Sequence, residues 1–167
     1  MASNMYLKFE GPAIQGECSD ANHKNEIEVH AWNHGFTQPT SPLRSSAGAG
    51  TVERAHHADF TFTKYLDSST DDLLKHCWSG KQISKATLTC YRADGNNKPI
   101  EYLKVAMEQV IIANVSLGGG GGDLPVENVA LSYGKVQYVY NPQKKEDGTS
   151  GPAQQPIAHD LKTNTVS

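Results

Sequence analysis

Hydrophobic and polar positions alternate along most of this chain, and the alternation predicts strands. Met5, Leu7 and Phe9 oppose Tyr6, Lys8 and Glu10, the pattern of a strand with one wet face. Gly11-Pro12 ends it, and Gly16-Glu17-Cys18-Ser19-Asp20 with Asn22 reads as a polar loop. Ile27, Val29 and Ala31 then point inward against Glu26, Glu28 and His30, with Trp32 closing the strand near Gly35. Phe60 and Phe62 against Thr61 and Thr63 predict another strand over 58–65. A further one over 85–92 sets Ala86, Leu88 and Cys90 against Thr87, Thr89 and Tyr91.

One segment has a helical signature. Ser69 or Thr70 serves as N-cap, Asp71 and Asp72 fall in the first turn, and Leu73, Leu74, Cys77 and Trp78 make an apolar side. Lys75 and His76 lie near its end, and Gly80 stops it.

Two long apolar segments, 101–117 and 126–140, form the spine. The first fits either period, but Val105, Val110, Ile111, Ile112 and Val115 are β-branched and favour a pleated surface. Leu103, Val105, Met107, Ile111, Ala113 and Val115 then share one side. In the second, Val129, Leu131 and Tyr133 alternate with polar neighbours, and the phase slips to Val136, Tyr138 and Tyr140 across Gly134. A slip at a glycine marks a bulge or sharp bend. The two segments make an antiparallel hairpin connected through Gly118-Gly119-Gly120-Gly121-Gly122-Asp123. Asp94-Gly95-Asn96-Asn97 supplies the turn that leads into it. With at least six strands and one helix, the chain is expected to be a mainly β domain, a barrel or sandwich.

Between strands, residues 38–51 are small, polar and rich in turn formers. They belong to an extended loop over 38–56, and a loop that long inside a domain is functional or disordered. Residues 143–167 form a polar tail with room for one edge strand over 157–166. The 167 residues predict a single domain.

Composition narrows the function. At 37% hydrophobic residues the core is modest, so burial against other subunits would help. The net charge is −3 and the basic residues are dispersed, which argues against a nucleic-acid surface. Cys18, Cys77 and Cys90 are too few for a disulfide framework and suit a reducing compartment. Met1–Met5 lacks a basic stretch followed by an apolar one, so no ordinary secretory signal is expected. No segment approaches the ~18 apolar residues of a membrane span.

No constellation carries catalysis. His30 and His34 have metal-ligand spacing for a helix but fall on a strand and its exit, and His56-His57 point to opposite sides of any strand. The glycine run joins strands and lacks the Lys-Ser/Thr of a phosphate cradle. No Gly-x-Ser-x-Gly elbow is present. Cys77 reads as a buried apolar cysteine, and Trp32 and Trp78 as core anchors. No catalytic, cofactor-binding or metal-binding residue is therefore assigned. Two alternatives remain open: a small-ligand or carbohydrate-binding barrel, against which the dispersed Tyr and Trp argue, and a hydrolase using a metal on His30, His34, His56 or His57.

Several stretches together resemble the Hcp family, the haemolysin-coregulated proteins. They are 16–20 with His23, Glu26-Ile27 and Ala31-Trp32; Phe62-Thr63-Lys64-Tyr65-Leu66-Asp67; and the helix ending in Gly80-Lys81. Thr89-Cys90-Tyr91-Arg92, Glu127-Asn128-Val129, Tyr138, Pro142-Gln143-Lys144 and His159-Asp160-Leu161-Lys162-Thr163 continue the likeness in order. The resemblance implies a two-sheet β-barrel with one flanking helix. It also implies a homohexameric ring whose copies stack into the inner tube of the bacterial type VI secretion system. Implied partners are other copies, the spike protein, the contractile sheath and small effector proteins in the channel. The implied location is the bacterial cytoplasm during assembly, followed by export without a cleaved signal peptide.

By the same resemblance the extended loop reaches the neighbouring ring, making Pro39, Pro42, Arg44, Ser46, Gly48 and Gly50 candidates for stacking. Trp32, Asn33 and His34 are candidates for the channel wall and effector contact.

Overall fold

The computed structural model describes residues 4–40 and 53–167. In chain order the strands begin with β1 (Asn4–Glu10), β2 (Ile27–Glu28), β3 (Ala31–Asn33), β4 (Phe36–Thr37), β5 (His56–His57) and β6 (Phe60–Tyr65). After α1 (Thr70–Ser79) come β7 (Ile83–Ala93), β8 (Pro99–Gly118), β9 (Val126–Ser132), β10 (Lys135–Tyr140), β11 (Ile157–Asp160) and β12 (Thr165–Val166). The molecule is mainly β with one helix among the described residues, as the alternation predicts.

Two sheets share the 20-residue strand β8. Its first half lies between β7 and β10, in the order β12-β11-β10-β8-β7-β1-β2. Its second half pairs with β9, which continues to β6 and β3. At the opposite corner the chain crosses sheets within two residues: the Val29 amide donates to Met5 of β1, and the His30 amide to Thr63 of β6. The barrel is left unclosed by strand pairing among the described residues.

The switch at β8 explains where the expected phase fails. Gln109 has φ 55°, a left-handed conformation that a strand interior ordinarily excludes. The inward set slips there from Val105 and Met107 to Val110 and Ile112. Ile111 and Ala113 consequently face outward, not inward as expected. Gly134 lies directly opposite: its amide donates to the Glu108 carbonyl at 3.0 Å. A Cβ on it would meet Gln109 Oε1 at 2.4 Å. The slip across Gly134 is thus a real bend, separating β9 from β10 while both remain paired to β8.

The core is continuous between the sheets, with Leu7, Phe9, Ile27, Phe60, Phe62, Leu73, Leu88, Met107 and Leu131 at its centre. Three local expectations are corrected. Ala31 is exposed, because the crossing into the second sheet reverses the phase and turns Trp32 inward onto Phe60. Trp78 is 80% exposed rather than a core anchor. The inward stripe of α1 runs through Thr70, Leu73 and His76, and Trp78 falls off that face. The C-terminal segment forms two strands, β11 and β12, because Asp160 caps a tight turn by accepting from the Lys162 and Thr163 amides.

Ser69 occupies the N-cap of α1 without making a side-chain cap bond. Its hydroxyl turns back to Asp67 instead. Gly80, at φ 63°, ends the helix in the left-handed conformation expected of it.

Candidate functional site

A groove of about 580 Å³ lies between the β4–β5 ribbon and the C-terminal strands. Leu103, Tyr138, Phe36, Tyr140, Ile157 and Val166 give it a largely apolar lining. The last four are more than half exposed, at 52%, 51%, 64% and 75%. The fold therefore gathers Phe36, Tyr138 and Tyr140 here, whereas neither tryptophan lines the groove. β4 and β5, not foreseen from the sequence, pair through Phe36↔His57 and Thr37↔His56.

The floor beside the groove holds a hydrogen-bonded chain of side chains. His34 bonds through Nδ1 to the Tyr138 hydroxyl and through Nε2 to the Tyr133 hydroxyl, the latter at 2.7 Å. Tyr133 also meets His57 Nδ1 at 2.7 Å. His57 Nε2 meets His159 Nδ1 at 2.7 Å, and His159 Nε2 reaches Asn164 Oδ1 at 3.2 Å. Burial holds His34 down to about 4, with the neighbouring His57 ring adding to the effect. Burial, then His159, lowers His57 as well. Burial also raises Tyr138 to about 12 and lifts Tyr133 well above the ordinary phenol. His34, His57, Tyr133 and Tyr138 are therefore neutral at pH 7.

The residues singled out from sequence are therefore split up. His30 packs edge-on against Tyr65, away from His34. His56 is exposed while its neighbour His57 joins the chain. Among the described residues no three His, Cys, Asp or Glu side chains form a group able to hold a metal. Trp32 is half-buried, Asn33 is exposed and His34 is engaged with the tyrosines. Pro39 is described, and its carbonyl accepts from the Glu53 amide at 3.4 Å. Pro42, Arg44, Ser46, Gly48 and Gly50 lie outside the described residues. His159 stands in a stretch that carries the family likeness, but nothing near it in sequence points to His57 and Asn164 as its partners. Tyr133 and Tyr138 carried a signal, since inward-phase phenols need partners.

A second buried polar group was also missed. Lys64 and Glu127 are 1% and 0% exposed and face each other in register across β6 and β9. Lys64 Nζ bonds Glu127 Oε2, and also Asp67 Oδ1 at 2.9 Å. Thr70, the first residue of α1, donates to Glu127 Oε2 at 2.8 Å. These bonds tie the helix start to the second sheet. The signal was present: Lys64 continues the inward phase of Phe60 and Phe62, and Glu127 precedes Val129 and Leu131 on theirs. Two opposite charges on facing inward phases predict a pair. Cys90 is buried and its thiol is pushed up to about 11, so it is a packing residue here.

Fold and site together define a two-sheet, mainly β protein with one flanking helix and an apolar groove between the β4–β5 ribbon and the C-terminal strands. The family described as "Type VI secretion system effector, Hcp" matches residues 6–140. "Protein hcp1" of Pseudomonas aeruginosa is 39% identical over 152 residues, covering 90% of this chain and 91% of that protein. The crystal structure of Hcp1 from Salmonella typhimurium matches with a TM-score of 0.80 at 32% identity, covering 100% of both chains. A type VI secretion system effector from Yersinia pestis matches with a TM-score of 0.72 at 30% identity, over 94% of this chain and 99% of that one. This chain belongs to the Hcp family of type VI secretion system proteins.

Proposed function

We propose that this chain is a tube-forming subunit of a type VI secretion system, six copies closing into a ring and rings stacking into an inner tube. The apolar groove carries the reading. A monomer that leaves Phe36, Tyr140, Ile157 and Val166 exposed around one concave face has surface to cover. A separate apolar patch lies at the other end of the hairpin, where Tyr65, Leu66, Leu117 and Leu124 are exposed. Leu66 is held to that end by its amide N–H, which donates to the Pro125 carbonyl at 3.1 Å. Two different apolar surfaces on one chain suit head-to-tail contacts, which close into rings or continue as filaments.

Light scattering should give about six times the 18.1 kDa chain mass. A monomer at micromolar concentration across several salt conditions would sink the ring. It would favour instead the second reading that the groove supports, an apolar-ligand site on a free barrel.

Spike, sheath and effector contacts belong to the same proposal, as do export and effector transport in the channel. Of the three channel candidates Asn33 is exposed, as contact with cargo would require. The stacking role of the loop also has a physical basis. Its two ends are held together by the β4–β5 ribbon and by the bond from Glu53 to Pro39, so the loop can be cut back without separating them. Replacing 39–50 with a short Gly-Ser turn is expected to leave far-UV CD and ring mass unchanged while abolishing tubes and secretion. Normal tubes from that variant would remove the loop from the stacking contact.

A further inference from the structure

The two ends of the second sheet differ in chemistry. One end holds the root of the extended loop: the Ala58 amide donates to the Gly35 carbonyl at 2.9 Å, and the His34 ring packs against both Phe36 and Phe60. From Phe60, β6 runs about 17 Å to Tyr65 at the far end. Tyr65 is there in register with Val126, and Val126 with Gly118, so the exposed Leu66, Leu117 and Leu124 share one rim with it. A cavity of about 200 Å³ opens on the same rim, with Tyr65, Leu66, His30 and three acids, Glu17, Glu28 and Asp67, in its lining. Asp67 is engaged by Lys64 at 2.9 Å. Glu17 and Glu28 are exposed and enter no ion pair among the described residues. No lysine or arginine lines the cavity. His30 packs edge-on against Tyr65, ring centroids 4.2 Å apart, and braces that wall.

A partner for this rim has to be aliphatic in one part and cationic in another. A purely apolar partner would desolvate two carboxylates without pairing them, and a purely ionic one would leave the leucines wet. The extended loop has that combination. Within residues 38–51 Arg44 is the single charged side chain, and Leu43 beside it is the single large aliphatic one. A guanidinium suits both the carboxylates and the face of Tyr65. Arg44 follows Thr37 by seven residues, so it can stand up to about 25 Å from the ribbon. On its own chain that length would be taken up in doubling back along β6. With copies placed end to end, the ribbon of one faces the rim of the next.

We infer that the rim of Tyr65, Leu66, Leu117 and Leu124, with Glu17 and Glu28, is the socket that receives Leu43 and Arg44 of the extended loop from the next copy. This rests on the stacking role of the loop and adds to it the landing site and its chemistry. Leu43 covers the leucines, and Arg44 pairs with the two carboxylates beside the Tyr65 ring. The contact is heterologous: each copy offers a loop at one end and a socket at the other, so the contact runs on from copy to copy. Its ionic half weakens as salt is added.

Cysteine cross-linking of the full-length protein, with native mass recorded in parallel, tests this. Leu43→Cys and Leu124→Cys are combined in a Cys77→Ser background, since Cys18 and Cys90 are buried, and the protein is oxidised. Covalent trimers and larger species are expected, whereas either single variant should stop at dimers. Adding Arg44→Glu should cut the ladder about tenfold at low salt, and adding Glu28→Lys to that should restore most of it. A bond closed within one chain, a ladder that Arg44→Glu leaves unchanged, or no recovery with Glu28→Lys would each overturn the socket. A native mass of six copies with no ladder would overturn it too, and would leave the ring standing. A monomer with no ladder would remove ring and socket together.

Discussion

Lys64→Met is expected to destabilise the fold by about 3–5 kcal/mol, the cost of leaving a buried carboxylate without its cation. Methionine fills nearly the same volume, so little of the loss comes from a cavity. Glu127 has no route to water: its residue exposure is 0%, and its Oε1 already lacks a hydrogen-bond partner. In the variant its Oε2 keeps only the Thr70 hydroxyl. The strain falls where α1 meets β6 and β9, so the helix start should loosen first. For a chain of this size the melting temperature should drop by about 10 °C at fixed protein concentration. Adding Glu127→Gln removes the stranded charge, and the double variant should recover more than half of the loss. Urea unfolding of the three proteins decides it. A single-variant cost below about 1 kcal/mol would show that Lys64 and Glu127 are not coupled as their contact implies.

Gly16→Ala should cost about 2–3 kcal/mol, because the added carbon meets backbone rather than movable side chains. Its Cβ would lie 2.6 Å from the Glu26 carbonyl oxygen and 2.9 Å from Ile27 Cα. That close approach lets the 16–26 loop ladder onto itself: Gly16 N donates to Asn25 O at 2.8 Å, Cys18 N to Glu26 O at 3.2 Å, and Asn25 N to Cys18 O at 3.0 Å. Pushing Glu26 and Ile27 outward pulls β2 off β1, where Tyr6 pairs Glu28 and Leu7 pairs Ile27. It also uncovers Ile27, which is fully buried. A fall in melting temperature of roughly 5–10 °C is expected. Gly118→Ala is the matched control, since nothing lies within 4 Å of its added carbon, and it should stay within about 0.5 kcal/mol. Equal stability of Gly16→Ala and the unmodified protein would mean that the loop is looser than its bonds imply.

The resemblance of 16–20 to a family signature thus acquires a physical basis. Glycine at 16 is required by a close approach, and Cys18 by a buried position at the loop's centre. The same holds at Gly134, whose phase slip was legible in sequence while its partner, the left-handed Gln109, was not. A glycine announces its own freedom. A glutamine forced to φ 55° by two sheets meeting does not.

What the sequence by itself determined was the helix, the longer strands and the family, but not the short β4–β5 ribbon or the second C-terminal strand. The period-2 alternation of β1, β6, β7 and β9 is a local property, because each strand's inward face must be apolar whatever it packs against. The helix ends were equally local, since Gly80 and the acidic first turn act within a few residues of themselves. Tertiary structure alone decided which polar residues meet. His34, His57 and His159 are bonded in one chain across more than a hundred residues, and no local pattern encodes that adjacency. Lys64 and Glu127 were half legible: their inward phases can be read, but their register across β6 and β9 follows from how the hairpin folds back. Local sequence sets which face a side chain takes, whereas partners belong to the pairing of distant strands, which only the closed core specifies.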